Sequence, residues 1–268
     1  MFREITLGQY YPVDSVIHRL DPRVKLLGTL LFLISLFLVK SYTMYGVAAV
    51  LLAILIRLTN VPFKYMVRGL RGILILLLIS VSFNLFLTPG TPVLTIGPLK
   101  MTQEGIAIAT KMAVRLIMLV IGSTIMTLTT TPNELTDGLE KGLGVFKHIG
   151  VPVHEIAMMM SIALRFIPIL VDETDKIMKA QQARGADFES GNILQRARAM
   201  VPILVPLFIS AFRRANDLAM AMEARCYHGG EGRTKMKPLH YAGRDYAAYA
   251  CIFIYFALFI GSRFLPLV

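Results

Sequence analysis

Two arginines stand where an arginine does its most specific chemistry. Each lies in a short tripeptide, Ala183-Arg184-Gly185 and Ala224-Arg225-Cys226, near the expected C-terminal end of a long helical run. A guanidinium is a planar fork of N–H donors that keeps its charge and grips a carboxylate through two parallel hydrogen bonds. The alanine before each arginine allows another surface to approach closely, and each tripeptide follows an upstream proline, Pro168 for the first and Pro206 for the second. Two such forks have the form of two equivalent plugs for two equivalent sockets. The plainer reading is that each is a cation favoured at a helix C-terminus by a few tenths to about 1 kcal/mol. On either reading the chemistry is recognition and not bond-making.

Nothing else in the chain reads as a reaction centre. No GxxxxGK[ST] stretch is present, so ATP is not bound by that device. No nucleophile stands beside a base, and no two carboxylates are spaced for acid–base work. His18, His148, His154, His228 and His240 lack metal-ligand spacing. Cys226 and Cys251 do not read as a disulfide, because Cys226 falls in a basic segment expected to face a reducing compartment. Methionines cluster at Met158-Met159-Met160 and recur at Met178, Met200, Met220 and Met222. Methionine packs adaptably, so these residues serve either the interior of a helical module or a platform for a partner. Pro168, Pro202 and Pro206 remove backbone donors within helical runs and are expected to kink them.

The elements that must carry these residues follow from composition. Of 268 residues, 55% are hydrophobic and 17% charged, against about 25% charged in a soluble domain; mean hydropathy is +0.62. The chain is therefore an integral membrane protein. Its net charge of +11 would suggest nucleic acid in a soluble protein. Here the basic residues fall between apolar segments, so they report topology, and nucleic acid is not expected as a partner.

Four apolar segments occupy residues 26–39, 45–56, 72–87 and 106–128, and a fifth occupies 246–265. The first two are shorter than the roughly 20 residues of a spanning helix, so flanking residues and a snorkelling Lys40 must extend them. Arg19, Arg23 and Lys25 precede the first segment, and Arg57, Lys64, Arg68 and Arg71 follow the second. The positive-inside rule places both clusters in the cytoplasm, with a hairpin between them. Residues 88–105 then face outside, and 131–245, with 15 Lys or Arg, return inside. The result is a cytoplasmic N-terminal side, five spans and an external C-terminal side.

Residues 131–245 predict helices of their own. Thr131-Pro132-Asn133-Glu134 is a helix start, with a stop near Gly142 or Gly144. A second helix runs from Pro152 to about Arg184, with Gly185 as its stop, and a third from about Gly191 or Asn192 to Arg225. The long pair carries apolar cores at 156–171 and 199–212. They could form a spanning hairpin, but this would send Lys176, Lys179, Arg184, Arg196 and Arg198 outside. Helices along the cytoplasmic boundary are the preferred reading. Arg19, Asp21, Arg23 and Lys25 pair with acids of this module or anchor to lipid headgroups. Lys111 and Arg115 lie on one helical face and line the interior or snorkel.

With these residues in view, the chain resembles the transmembrane T component of energy-coupling factor (ECF) transporters, the CbiQ/EcfT group. The run Asp14-Ser15-Val16-Ile17-His18-Arg19-Leu20-Asp21-Pro22-Arg23-Val24-Lys25-Leu26 looks like that family's opening segment, and the tripeptides match its paired Ala-Arg-Gly signatures. Cys226 departs from the pattern at the third residue of the second signature, which puts a glycine cap there in doubt. The resemblance implies an all-α integral membrane protein of about five transmembrane helices, with a cytoplasmic module of one short and two long crossed coupling helices. The implied domains are 1–130, 131–245 and 246–268.

It further implies a non-catalytic, multi-pass subunit of the cell membrane in an importer for vitamins or metal ions. Two ABC-type ATPase subunits would bind the ATP and Mg, leaving no cofactor in this chain. Ala183, Arg184 and Gly185 would contact one ATPase, and Ala224, Arg225 and Cys226 the other. A separate membrane S component would capture the substrate, with Met158, Met159, Met160, Pro168, Pro202 and Pro206 as its candidate interface. The alternatives are a permease of another ABC importer class and a membrane enzyme. Glu223-Ala224-Arg225 faintly echoes the Glu-Ala-Ala loop of ordinary ABC importers, without the downstream spacing. A self-sufficient permease would need polar groups inside its spans, where Asn84 and a few Ser and Thr are nearly all that is available.

Overall fold

The computed structural model describes residues 10–39, 41–96, 99–188, 192–230, 236 and 238–264. Lys40 and Leu265, which figure in the expected spans, lie outside the described residues. The helices are α1 (Pro22–Leu38), α2 (Tyr42–Thr59), α3 (Phe63–Leu87), α4 (Gln103–Thr129), α5 (Pro132–Gly142), α6 (Val153–Ala183), α7 (Ile193–Ala224) and α8 (Gly243–Phe264). A short hairpin of β1 (Pro92–Ile96) and β2 (Leu99–Thr102) joins α3 to α4, and a 3-10 turn at Leu143–Ile149 follows α5. The described residues form two compact units, one drawn from 10–141 and 239–264 and the other from 142–238.

The five segments expected to span are all helical, as α1 to α4 and α8. Helices α2, α3, α4 and α8 are long and apolar enough to cross a membrane, and α6 and α7 meet the same measure. Helix α1 has 17 residues, about 25 Å of helix against a hydrocarbon layer of about 30 Å. Helix α3 begins well before its apolar run, because Lys64, Arg68 and Arg71 are helical although they interrupt the hydropathy. The expected loop at 88–105 contains the antiparallel hairpin, with Leu94 opposite Met101 and Ile96 opposite Leu99.

Helix α4 is the axis of the first unit and touches α1, α2 and α3. Phe32 and Leu36 of α1, Ala48 and Leu52 of α2, Met66 of α3, Ile121 and Ile125 of α4, and Phe259 of α8 share one buried cluster. The backbones come close because glycine is used at the crossings. A Cβ on Gly122 would stand 2.6 Å from the Phe32 ring, and one on Gly28 2.8 Å from Ile252. Helix α5 packs in this unit: Thr136 is buried, and a Cβ on Gly138 would lie 3.0 Å from Pro22. Its start is a reciprocal capping box, in which Glu134 N–H donates to Thr131 Oγ1 (3.3 Å) and Thr131 N–H to Glu134 Oε2 (3.1 Å).

The opening segment ties three helix ends together. Asp21 caps α1 by accepting from Arg23 N–H at 2.9 Å, and Pro22 starts the helix where no backbone donor is needed. The backbone N–H of Asp21 donates to Asp245 Oδ1 at 2.9 Å, while Asp245 Oδ2 accepts from Ala242 N–H at 2.8 Å. Lys25, 7% exposed, donates to the carbonyls of His18 (2.9 Å) and Thr129 (2.8 Å), closing the C-terminal end of α4. Arg23 reaches Asp21 (3.4 Å), the Leu239 carbonyl (3.2 Å) and the face of Tyr241 (4.5 Å). Burial pushes the His18 imidazole below its ordinary pKa, in keeping with a neutral ring held between Ser15 (2.7 Å) and the Tyr11 carbonyl (3.1 Å). Of the four charged residues weighed as acid partners or headgroup anchors, Arg19 is itself exposed and pairs with the exposed Asp14 at 3.4 Å.

Asp245 is 1% exposed and its two oxygens serve two separate backbone donors. Asp245→Ala is expected to orphan both N–H groups and destabilise the unit by about 2–4 kcal/mol. Asp245→Asn, which keeps one acceptor, is expected to cost about half as much. Thermal unfolding of the detergent-solubilised protein checks the order wild type, Asn, Ala.

Candidate partner-docking site

Both arginine tripeptides are helix ends of the same kind. Helix α6 closes at Arg184, its C-cap; Gly185 follows at φ +88, its N–H bonds to the Gln182 carbonyl (2.9 Å), and Ala186 N–H bonds to Gln181 (3.0 Å). Helix α7 closes at Arg225; Cys226 follows at φ +53, its N–H bonds to Glu223 (2.8 Å), and Tyr227 N–H bonds to Met222 (3.0 Å). This paired closure is the Schellman motif, made twice with the same residue spacing. The cap doubted at Cys226 is therefore formed, with a cysteine in the left-handed conformation that glycine adopts freely. For a residue with a Cβ that conformation costs about 1–2 kcal/mol.

The closure decides what the arginines present. Each is the last residue before the chain reverses, so its side chain leaves from the tip of a helix. Ala183, Arg184, Gly185, Ala224, Arg225 and Cys226 are all exposed. Neither guanidinium has a side-chain hydrogen bond or ion pair among the described residues. Arg214 of α7, by contrast, is committed to α6: it donates to Glu173 Oε2 at 2.7 Å through Nη2 and 3.2 Å through Nε.

Glu173 also accepts from Ser210 Oγ at 2.6 Å, so one carboxylate of α6 clasps two side chains of α7. Eight residues further along α6, Gln181 Nε2 meets the Pro202 carbonyl at 3.4 Å. That carbonyl is the one left without a helical donor by Pro206. From Glu173 to Gln181 the contacts step back from Ser210 to Pro202, so the helices run antiparallel. Arg184 then sits just beyond the Pro202 contact, whereas Arg225 lies roughly 35 Å from Pro202 along α7.

The prolines lie inside unbroken helices, Pro168 in α6 and Pro202 and Pro206 in α7. Of the methionines, Met159, Met160, Met200 and Met220 are exposed and Met158, Met178 and Met222 half-buried, so the cluster is not an interior packing layer of this unit. Helix α7 also presents Val201, Val205, Phe208, Ile209 and Phe212, each about half exposed or more, and Val205 to Asn216 line an open groove of about 730 Å³. Among the described residues no three His, Cys, Asp or Glu side chains converge as a metal ion requires. The Glu173 clasp escaped the sequence reading. Its one signal was Ser210 and Arg214, four apart on a single face of an otherwise apolar stretch.

Comparison with known proteins gives one answer over nearly the whole chain. Residues 14–236 match the CbiQ family, described as cobalt transport protein. A protein of Thermosediminibacter oceani named energy-coupling factor transporter transmembrane protein EcfT is 55% identical over 263 residues, 98% of this chain and 99% of its own. Proteins of the same name from Clostridium kluyveri and Bacillus subtilis are 54% and 44% identical, each over 98% of this chain and at least 98% of their own.

The two caps share a geometry and differ in strain. A Cβ on Gly185 would meet nothing within 4 Å, so Gly185→Val tests the backbone alone and is expected to loosen the α6 end by about 1–2 kcal/mol. Cys226→Gly is expected to tighten the α7 end by about 1 kcal/mol. Hydrogen exchange at the amides of Ala186 and Tyr227 reads both, with faster exchange in the first variant and several-fold slower exchange in the second.

Proposed function

The chain belongs to the family of CbiQ cobalt transport proteins and energy-coupling factor transmembrane components, and from that premise we propose that it couples ATP hydrolysis by partner subunits to import. In this reading Arg184 docks on one ABC-type ATPase and Arg225 on a second, each reaching a carboxylate at the partner's surface. ATP and Mg are bound by those ATPases. The substrate, a vitamin or a metal ion, is carried by a separate membrane S component, which rests on the exposed methionine and proline faces of α6 and α7 around Met158, Met159, Met160, Pro168, Pro202 and Pro206. This chain makes and breaks no covalent bond.

The observation that carries the proposal is the pair of matched caps on one two-helix unit, each ending in an exposed, uncommitted arginine. A cation favoured only by its own helix dipole needs no such repetition. The Glu173 clasp gives the reading a mechanical route. ATP-driven approach of two ATPases would push the two tips, and helices joined at Glu173 would answer by changing their angle as a pair.

The proposed topology has a cytoplasmic N-terminal side, α6 and α7 along the cytoplasmic boundary, and an external C-terminal side. The competing arrangement, with α6 and α7 spanning as a hairpin, has their length and hydropathy in its favour. In a background without Cys226 and Cys251, a cysteine at Thr91 is expected to react with an impermeant reagent on intact cells, and one at Ala186 is not. Rapid external labelling at Ala186 would establish the hairpin.

Losing one partner of a desolvated charge pair typically costs about 2–5 kcal/mol. Arg184→Ala with Arg225→Ala is therefore expected to release the ATPases and abolish ATP-driven uptake in vesicles, while the protein still inserts. Arg→Lys at both sites is expected to rescue poorly, because a point charge cannot replace a planar fork. Lys179→Ala, an exposed charge on the same helix, is expected to change little. Wild-type co-purification and uptake in the double variant would reduce both arginines to ordinary helix-end cations.

A further inference from the structure

Lys111 and Arg115 of α4 face the turn that joins α1 to α2. Lys111 Nζ lies 4.4 Å over the ring of Tyr42, whose hydroxyl donates to the Ala107 carbonyl at 3.4 Å. Arg115 Nε donates to Tyr45 Oη at 3.1 Å, and its guanidinium carbon lies 5.7 Å over Phe37. Both cations are half-buried, and neither has a carboxylate partner among the described residues. Two like charges one helical turn apart repel, and in a membrane protein such charges find an anion or reach water.

Depth makes the position harder to explain by water alone. At the opposite end of the unit α1 and α4 are level, where Lys25 meets the Thr129 carbonyl. At this end α1 stops at Leu38, beside Lys111 and Arg115, while α4 continues to Gln103, roughly two turns beyond. Helix α3 accompanies it, and apart from Ser82 its exposed residues from Ile75 onward are apolar, including Ile75, Ile79, Phe83 and Leu87. Hydrocarbon thus rises along α3 past the level at which the two cations stand. The cations are also continuous with a lipid-facing stripe. Phe37, under Arg115, begins an exposed row on α1 that continues through Ile34 and Leu30 toward the membrane interior. Helix α2 starts at the same turn without a side-chain cap.

We propose that Lys111 and Arg115 hold the phosphate of an anionic phospholipid at the α1–α2 turn, with the acyl chains lying along Phe37, Ile34 and Leu30. The two cations take the negative charge, and the Tyr45 hydroxyl, which accepts from Arg115, keeps its own proton to donate to a phosphate oxygen. The apolar row distinguishes a lipid from free phosphate, for which it would offer nothing. The headgroup lets the bilayer surface meet the unit at two heights, lower at α1–α2 and higher at α3–α4.

Native mass spectrometry of the purified protein, titrated with phosphatidylglycerol or phosphatidylcholine of identical chains, tests the site. The wild type is expected to bind the first lipid at least tenfold more tightly than the second. Lys111→Gln with Arg115→Gln is expected to abolish that preference, and Lys111→Gln alone, which removes only a half-exposed charge, to lower it at least threefold. Exchanging the two cations, Lys111→Arg with Arg115→Lys, is expected to preserve it, as is the control Lys64→Gln at the start of α3. Inorganic phosphate at tens of millimolar is expected to leave lipid binding in place. Equal binding of the two lipids by the wild type, or a preference unchanged in Lys111→Gln and in the double variant, would overturn the proposal. Displacement of phosphatidylglycerol by inorganic phosphate would overturn its lipid part and assign the cations to a soluble phosphate.

Discussion

A helix that ends in or beside a membrane leaves carbonyls and N–H groups that nothing in hydrocarbon can satisfy. Most of what is specific in this protein is an answer to that constraint. Lys25 turns its ammonium to the last carbonyl of α4 and to that of His18, and both oxygens of Asp245 serve donors near the starts of α1 and α8. The Schellman closures answer it for α6 and α7 with backbone alone. That economy has a consequence for function. Because the carbonyls are already satisfied, Arg184 and Arg225 need not fold back on them, and both guanidinium groups remain available to a partner.

The two units differ in their interiors. The first is locked by glycine crossings, a shared apolar cluster and polar knots at helix ends, where Asp21, Lys25 and Asp245 are committed to backbone. The second has little interior. Helix α7 exposes Phe208, Ile209 and Phe212, and its described tie to α6 is the Glu173 clasp with the weaker Gln181 contact. Two helices joined at few points can change their angle at small energetic cost, whereas a bundle packed along its length cannot. The first unit therefore resists deformation within itself, and the α6–α7 pair permits it.

Much of this was legible in the sequence because it rests on local rules. The helix start at Thr131 and Glu134, the stop at Gly185 and the start at Gly191 or Asn192 are signals carried by one residue and its neighbours, and the structure caps α7 at Asn192, the second of that pair. The arginine tips were legible for the same reason. Hydropathy was a poorer guide to length: Lys64, Arg68 and Arg71 hid the first two turns of α3, and Pro92–Ile96 and Leu99–Thr102 pair as strands where a loop was read. What the sequence withheld is what depends on distance between segments. Asp245 follows Asp21 by more than two hundred residues, and nothing near either one announces the other. Glu173 and Arg214 look like two solvated charges until α7 is turned against α6.

Cys226 is the informative exception. A glycine at that position would make the same closure without strain, as Gly185 does at the end of α6, yet the α7 tip carries a residue that pays for the left-handed turn. The hydrogen bonds are equal, 2.8 and 3.0 Å at one tip against 2.9 and 3.0 Å at the other. The difference therefore lies in the backbone and in what each alternative conformation releases. A cap strained by about 1 kcal/mol opens several-fold more often than an unstrained one, and when it opens the last turn of α7 frays and Arg225 loses its fixed exit. The two plugs thus match in shape but not in stiffness.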